Sequence, residues 1–169
     1  MVEIYTDGSC RGNGKENSSG GWGVAAFVQV EDKYYCDMWT GDYCDDTTNN
    51  REELKAMNQA LMLLGLEAYT DKKCYIYSDS AYVVNMCNDW IWKWANNNWT
   101  RSGGKPIENL DLVQNIYNLM RGTHANFTIV KVKGHAGKVG NELADAIATN
   151  NQAKIAKIMK ENEDLFIND

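Results

Sequence analysis

Four acidic residues occupy positions where a carboxylate suggests chemistry rather than structure. Asp7 and Asp79 each follow a short apolar segment and precede a small residue. Glu53 lies at the edge of an apolar helical stripe when residues are placed about 100° apart, and Asp145 lies between two apolar residues of a later helical segment. An aspartate at a strand end is most often a turn or cap residue, so each position alone is weak evidence. If the four meet at one end of a sheet, however, their repulsion requires a cation, and oxygen ligands suit Mg²⁺ or Mn²⁺.

A carboxylate site of this kind predicts phosphoryl-transfer chemistry. Two divalent ions a few ångströms apart promote in-line displacement at a phosphodiester, so the residues indicate a metal-dependent phosphoryl hydrolase. His135 lies in the segment KGHAG, with glycines close on both sides, and could shuttle a proton beside the metals. Three other residues are assigned structural positions: Glu52 is predicted to face solvent, His124 to lie on the surface and Asn141 to cap a helix.

Hydrophobic patterning predicts the elements that position these residues. Alternating or continuous apolar runs predict five strands, and apolar stripes at helical spacing predict the helices. The order β-β-β-α-β-α…α-β-α describes an α/β fold with a five-stranded mixed sheet flanked by helices. Three strands are expected to be antiparallel and two to join in parallel through helical crossovers. The predicted strands are residues 2–5, 22–30, 33–39, 73–77 and 126–132, and the predicted helices are residues 51–67, 80–88, 108–121 and 141–159.

Composition limits the class of protein. A chain of 169 residues, 44% hydrophobic and 24% charged, fits one ordinary globular domain. The five cysteines are odd in number and form no CxxC pair, which argues against a disulfide framework or a structural zinc site. No apolar run approaches the ~18 residues of a bilayer span, and the N-terminus lacks a signal-peptide pattern. We therefore expect a cytoplasmic protein with no membrane partner. The net charge of −6 disfavours tight nonspecific binding to nucleic acid.

Five motifs resemble those of type 1 ribonuclease H. They are YTDGSC from residue 5, TTNNREEL from residue 47, SDS from residue 78, KGHAG from residue 133 and NELAD from residue 141. They occur in the family's order and spacing over about residues 1–150. The resemblance implies a ribonuclease H-like fold and an endoribonuclease that hydrolyses the RNA strand of RNA/DNA hybrids, leaving 5′-phosphate and 3′-hydroxyl ends. Residues 1–150 would form the catalytic domain and residues 151–169 a C-terminal helical tail with solvated lysines, and a monomer is the default expectation.

The resemblance also implies roles for individual residues. Asp7, Glu53, Asp79 and Asp145 would hold two Mg²⁺ ions, for which Mn²⁺ could substitute, and His135 would assist proton transfer and product departure. Other positions match the family's substrate contacts. The minor groove of the hybrid, where RNA presents its 2′-hydroxyl groups, would be contacted by Cys10, Asn13, Asn49 and Asn50. Thr48 and Asn109 would hold a DNA-strand phosphate. A protruding handle at about residues 88–106 would bind the substrate through Trp90, Trp94 and Lys105.

The handle partly resolves the conflict between an acidic chain and an anionic substrate. Residues 89–105 contain one acid and three bases, so the local charge is +2 where the substrate would lie. Three positions nevertheless lack substrate contacts that family members often have: the neutral stretch at residues 95–98, Asp46 and Ala81. We expect weaker and more salt-sensitive binding with intact metal ligands.

Three alternatives stay open at this point. The first is a transposase, integrase or proofreading exonuclease core, although such exonucleases usually have a D-x-E pair on the first strand, whereas Gly8 and Ser9 follow Asp7. The second is the ribonuclease H domain of a reverse transcriptase. The third is a noncatalytic hybrid-binding protein, which would have no need to keep all four acids.

Overall fold

Five strands form one mixed β-sheet in the order β3-β2-β1-β4-β5. The structure, a computed structural model, describes residues 1–133 and 138–166. The first three strands are antiparallel, and β4 and β5 run parallel to β1. This arrangement confirms the predicted α/β fold. The strands are β1 Val2–Arg11, β2 Ser19–Val30, β3 Lys33–Asp45, β4 Lys73–Ser78 and β5 Asn126–Lys131.

Helices follow the sheet strands in the predicted order. A π-helical stretch at Met86–Trp90 joins α2 to α3, and short 3₁₀ turns lie at Glu67–Tyr69, Ser102–Gly104 and Glu163–Leu165. Within the ranges that the structure describes, no helix is long and apolar enough to cross a membrane. The helices are α1 Asn49–Leu63, α2 Ala81–Asn85, α3 Ile91–Asn96, α4 Leu110–Gly122, α5 Val139–Ala148 and α6 Gln152–Glu161.

All three antiparallel strands are longer than patterning predicts. β1 continues beyond residue 5 to Arg11, β2 begins at Ser19 instead of residue 22, and β3 continues beyond residue 39 to Asp45. The reason is continuous pairing, since β2 remains hydrogen-bonded to β1 as far as Ser19 and to β3 as far as Asp45. Asp7 therefore lies within a paired strand rather than at its end.

The last predicted helix is divided into two helices. α5 begins at Val139, with Lys138 at the N-cap, so the expectation that Asn141 caps this helix is wrong. The helical path breaks after Ala148, and Asn150 adopts a left-handed backbone with φ 54°. Asn151 then caps α6, because its side chain accepts a hydrogen bond from the Lys154 backbone N–H at 3.0 Å.

Alternation along the strands gives the sheet two buried faces. Ile4 packs in a core with α1, α2 and α4, whereas Tyr5 packs on the opposite face with α5 and α6. Successive side chains of a strand point to opposite faces, so the strictly apolar centre of β2 serves both cores. The sheet therefore has a helical layer on each side.

Two glycines let helices approach the sheet more closely than any side chain would allow. A Cβ atom on Gly8 would overlap the backbone of Glu53, and one on Gly23 would overlap the carbonyl oxygen of Ala144. The start of α1 and the middle of α5 therefore lie directly against β1 and β2. This close packing brings α1 and α5 to the part of the sheet that holds Asp7.

Candidate active site

Asp7 and Asp79 lie side by side on adjacent parallel strands. In the register of β1 and β4, Tyr5 is paired with Tyr77, and each aspartate lies two residues beyond that pair. Asp7 is half-buried within β1, whereas Asp79 follows β4 directly and is exposed. Parallel pairing thus aligns two carboxylates that are far apart in the sequence.

The third carboxylate, Glu53, comes from the first turns of α1. Thr48 caps this helix by accepting a hydrogen bond from the Arg51 backbone N–H at 3.1 Å. Carboxylate oxygens of Asp7, Glu53 and Asp79 all lie within 4.8 Å of one another, and these three residues are called the acidic cluster below. The Glu53 Oε2 atom is buried and has no hydrogen-bond partner among residues 1–133 and 138–166. Because three converging carboxylates repel one another unless a cation neutralises them, and oxygen ligands suit Mg²⁺ or Mn²⁺, the acidic cluster has the chemistry of a divalent-cation site.

Asp145 faces the same site from α5. It lines a small cavity of about 40 Å³ together with Asp7 and Asp79. Its carboxylate is already engaged, since Lys154 Nζ lies 2.7 Å from its Oδ2 atom. Three of the four predicted acids therefore form the acidic cluster, and the fourth, Asp145, faces the same cavity as Asp7 and Asp79 and is paired with a lysine.

Burial and mutual repulsion alter the acidity of this group. Burial, followed by the charges of Asp79 and Asp145, raises the pKa of Asp7 to about 8, although the Gly8 N–H donates to its Oδ1 at 3.0 Å. Burial, followed by the charges of Asp7 and Asp79, raises the pKa of Glu53 to about 9. In the absence of a cation the cluster therefore retains protons near neutral pH, and a bound cation would displace them.

Glu52 is fully buried, so the prediction that it faces solvent is wrong. Its Oε1 atom accepts hydrogen bonds from Thr47 Oγ1 at 2.7 Å and Lys55 Nζ at 2.8 Å. The error arises because the end of β3 covers this side of α1, where Cys44 Sγ also donates to Oε1 at 3.3 Å. Glu52 therefore anchors the start of α1 through a partly buried ion pair, one residue before Glu53.

The predicted minor-groove residues gather beside the start of α1. Asn13 Oδ1 accepts a hydrogen bond from the Asn49 backbone N–H at 3.0 Å, which ties the β1–β2 turn to the helix. Cys10 Sγ donates to the Thr47 carbonyl oxygen at 3.4 Å. These residues and Thr48 form a surface that is called the rim below. Cys10 is half-buried, and the other members are exposed: Asn13, Thr48, Asn49 and Asn50.

Asn109 is joined to the rim through Arg51. Asn109 has a left-handed backbone, with φ 55°, at the position before α4. Arg51 Nη1 donates to Asn109 Oδ1 at 3.3 Å, and the same guanidinium pairs with Asp111 at 2.8 Å. Arg51 thus fixes Asn109 relative to α1, which begins with the rim residues.

The tryptophans of the handle have two different environments. Trp92 and Trp99 pack edge-on against Tyr117 of α4, with ring centroids 5.4 and 5.1 Å apart. Trp90 and Trp94 instead lie with their ring centroids 6.1 Å apart. These two rings line an open cavity of about 420 Å³, whose walls also include Tyr82, Arg101 and Lys105.

Comparison with known proteins identifies the family. The family model described as RNase H matches residues 1–153. The chain belongs to the ribonuclease H family. Among curated ribonucleases H, that of Orientia tsutsugamushi (strain Boryong) is 41% identical over 96% of this chain and 88% of its own length. That of Caldanaerobacter subterraneus subsp. tengcongensis is 38% identical over 96% of this chain and 95% of its own length.

The fold agrees with the same family. The crystal structure of LC9-RNase H1, a type 1 RNase H with the type 2 active-site motif, is 33% identical to this chain. The two structures superpose with a TM-score of 0.71, and the matched region covers 87% of this chain and 69% of the LC9-RNase H1 chain. The resemblance to type 1 ribonuclease H is therefore confirmed.

Two site residues of this ribonuclease H need separate mention. His135 lies outside the described residues. Lys154 was predicted to belong to a solvated helix end, and this prediction is wrong, because its ammonium group contacts Asp145. A sequence signal was present: the Asn150–Asn151 pair is typical of a helix break, and a break permits the chain after α5 to return to the site.

Replacing Asp7 by Asn is expected to stabilise the metal-free ribonuclease H at pH 8 by on the order of 1–3 kcal/mol. The replacement removes one charge from a group of mutually repelling carboxylates. The pKa values of Asp7 and Glu53 are raised in the folded state, so the metal-free wild type should lose stability as pH rises from about 4 toward about 8. Thermal unfolding in EDTA at a series of pH values measures both effects.

Glu16→Gln is the matched control for charge removal, because Glu16 is exposed and lies in the β1–β2 turn. A wild-type stability that rises across this pH range would contradict the linkage. An Asp7→Asn variant that is no more stable at pH 8 than Glu16→Gln would contradict the predicted gain in stability.

Proposed function

We propose that the chain is an endoribonuclease that hydrolyses the RNA strand of RNA/DNA hybrids by two-metal-ion catalysis. The products would have 5′-phosphate and 3′-hydroxyl ends. The observation that most supports this function is the acidic cluster, in which three carboxylates from β1, α1 and the end of β4 lie within 4.8 Å. Membership of the ribonuclease H family supports the choice of an RNA-strand nuclease over other phosphoryl hydrolases.

Asp7, Glu53, Asp79 and Asp145 are proposed to hold two Mg²⁺ ions. Such ions stabilise the attacking and leaving oxygens of an in-line displacement. The protein's own contribution is a preorganised set of ligands: β-pairing aligns Asp7 with Asp79, and the buried Glu52 holds the first turns of α1 in place, and with them Glu53. His135 is proposed to move a proton during hydrolysis and product departure.

Four residues of the rim, Cys10, Asn13, Asn49 and Asn50, are proposed to contact the minor groove of the hybrid. Their side chains are short, uncharged hydrogen-bonding groups, which suits recognition of 2′-hydroxyl groups that both donate and accept. Thr48 and Asn109 are proposed to hold a DNA-strand phosphate. Thr48 can still donate its hydroxyl proton there, because its oxygen acts as an acceptor in the helix cap.

The handle at about residues 88–106 is proposed to hold the DNA strand in the cavity lined by Trp90 and Trp94. Arg101 and Lys105 on the walls of that cavity outnumber the single acid there, Glu108, and aromatic faces stack with any base. Residues 1–150 would then be the catalytic domain and residues 151–169 a helical tail. We further propose that the protein acts as a monomer in the cytoplasm.

Cleavage of a labelled RNA/DNA hybrid tests this function, with an RNA duplex, a DNA duplex and single-stranded RNA as controls. The protein is assayed with Mg²⁺, with Mn²⁺ and with EDTA. We expect metal-dependent cuts confined to the RNA of the hybrid and a loss of at least about 10²-fold in Asp79→Asn, since a missing ligand removes transition-state stabilisation. Asp71→Asn is the matched control, because Asp71 is exposed and pairs only weakly with Lys72 at 3.2 Å.

Cleavage of the DNA duplex would instead favour a transposase-like activity. Binding of the hybrid without cleavage under every metal condition would favour a noncatalytic hybrid-binding protein. Either result would contradict the proposal.

The weak positive charge of the handle generates a second prediction. Asn96 lies exposed at the end of α3, in the neutral stretch of the handle. Asn96→Lys should lower the KM for the hybrid several-fold at low salt. It should also steepen the plot of log KM against log salt concentration by about 0.9, the slope expected for one added phosphate contact. The kcat should stay unchanged, because the acidic cluster is untouched.

Met62→Lys adds the same charge at the opposite end of α1 from the rim, where Met62 is 55% exposed. An equal change in KM for the two variants would show that net charge matters rather than the handle. An unchanged KM for Asn96→Lys would show that the substrate does not reach this part of the handle.

A further inference from the structure

Lys154 places a positive charge inside the candidate active site. Its Nζ atom lies 2.7 Å from Asp145 Oδ2, and the two side chains are only 36% and 28% exposed. It lines the same cavity as Asp7 and Asp79. Lys154 is also the first residue beyond the segment matched by the family model, which ends at residue 153.

The position of this ammonium group is fixed by the fold of α6. The Asn151 side chain caps the helix at the Lys154 backbone N–H, and the Asn151 N–H donates to the Ala146 carbonyl oxygen at 2.9 Å. The next residue, Ile155, is buried in the core beneath α5, together with Ile158 one turn later. Packing of these isoleucines holds α6 in place, so Lys154 extends from an anchored backbone toward Asp145.

Asp145 therefore has two possible cationic partners. A half-exposed ion pair contributes little to folding by itself, yet it occupies a carboxylate oxygen that a divalent ion would also use. Asp145 is paired with an ammonium group, whereas Asp7, Glu53 and Asp79 have one another as neighbours, with carboxylate oxygens within 4.8 Å. A metal ion that binds through Asp145 must displace the Lys154 ammonium group or share the carboxylate with it. A metal ion that binds within the acidic cluster need not do so.

We propose that Lys154 is a resident counter-ion that competes with a divalent metal for Asp145. The inference rests on the proposed two-metal function. Lys154 holds the Asp145 carboxylate when the second metal is absent and lowers the affinity of the metal position that Asp145 completes. Lys154 is thus a positioning residue that sets the metal concentration at which both positions fill.

Direct measurement of Mn²⁺ binding tests this inference without reference to catalysis. Free Mn²⁺ is followed by electron paramagnetic resonance while the ion is added stepwise to the wild type and to Lys154→Gln. We expect two classes of position in the wild type. Lys154→Gln should tighten the weaker class about five- to tenfold, the order expected for removing a unit charge beside a partly exposed ligand, and should change the tighter class by less than about twofold.

Two further variants separate this competition from other effects. Lys154→Arg keeps the charge and should bind Mn²⁺ like the wild type. Lys157→Gln removes a charge from the exposed side of the same helix, where Lys157 is 73% exposed and lies 3.9 Å from Glu161. It should change neither class by more than about twofold. Circular dichroism confirms that each variant is folded.

An unchanged or weakened second class in Lys154→Gln would overturn the competition, as would an equal tightening in Lys157→Gln. A single class of Mn²⁺ position in every variant would overturn it together with the two-metal proposal. Hybrid cleavage that still depends on Asp79 would then show that the nuclease function stands without the second metal.

Discussion

Repulsion among clustered carboxylates is the constraint on which the site depends. The fold forces Asp7, Glu53 and Asp79 together by strand pairing and by the close approach of α1 at Gly8. Burial, and after it the charges of the neighbouring acids, raises the pKa values of Asp7 and Glu53, so the arrangement costs stability until protons or cations neutralise it. A site that is unfavourable for folding but suited to a divalent ion is typical of residues positioned for function.

The neighbours Glu52 and Glu53 illustrate how the chain distinguishes a structural acid from a functional one. Glu52 receives an ammonium group, a hydroxyl and a thiol at a single oxygen, which neutralises its charge within the protein. Glu53 has no such cationic partner among the contacts of the described residues, and its neighbours are other acids. Lys154 gives Asp145 an intermediate status, since this acid is partly neutralised by the chain and yet faces the acidic cluster.

Sequence patterning predicted the sheet and the convergence of the acids, because alternation and helical periodicity depend on local residue order. Glu53 was correctly placed beside the core by its angle in α1. Glu52 was misplaced because a single helical stripe ignores the cover that β3 supplies from another part of the chain. Lys154 was missed for a related reason: its position depends on the reversal at Asn150, which brings α6 back over α5. Tertiary contacts of this kind are not encoded in local periodicity.

The central claim is that the acidic cluster is a divalent-cation site. Anomalous diffraction at the manganese edge, from crystals of the wild-type protein grown with Mn²⁺, tests it most directly. The account predicts a strong anomalous peak bonded to the carboxylates of Asp7, Glu53 and Asp79. Manganese density found only elsewhere on the protein, with none between these three carboxylates, would contradict it.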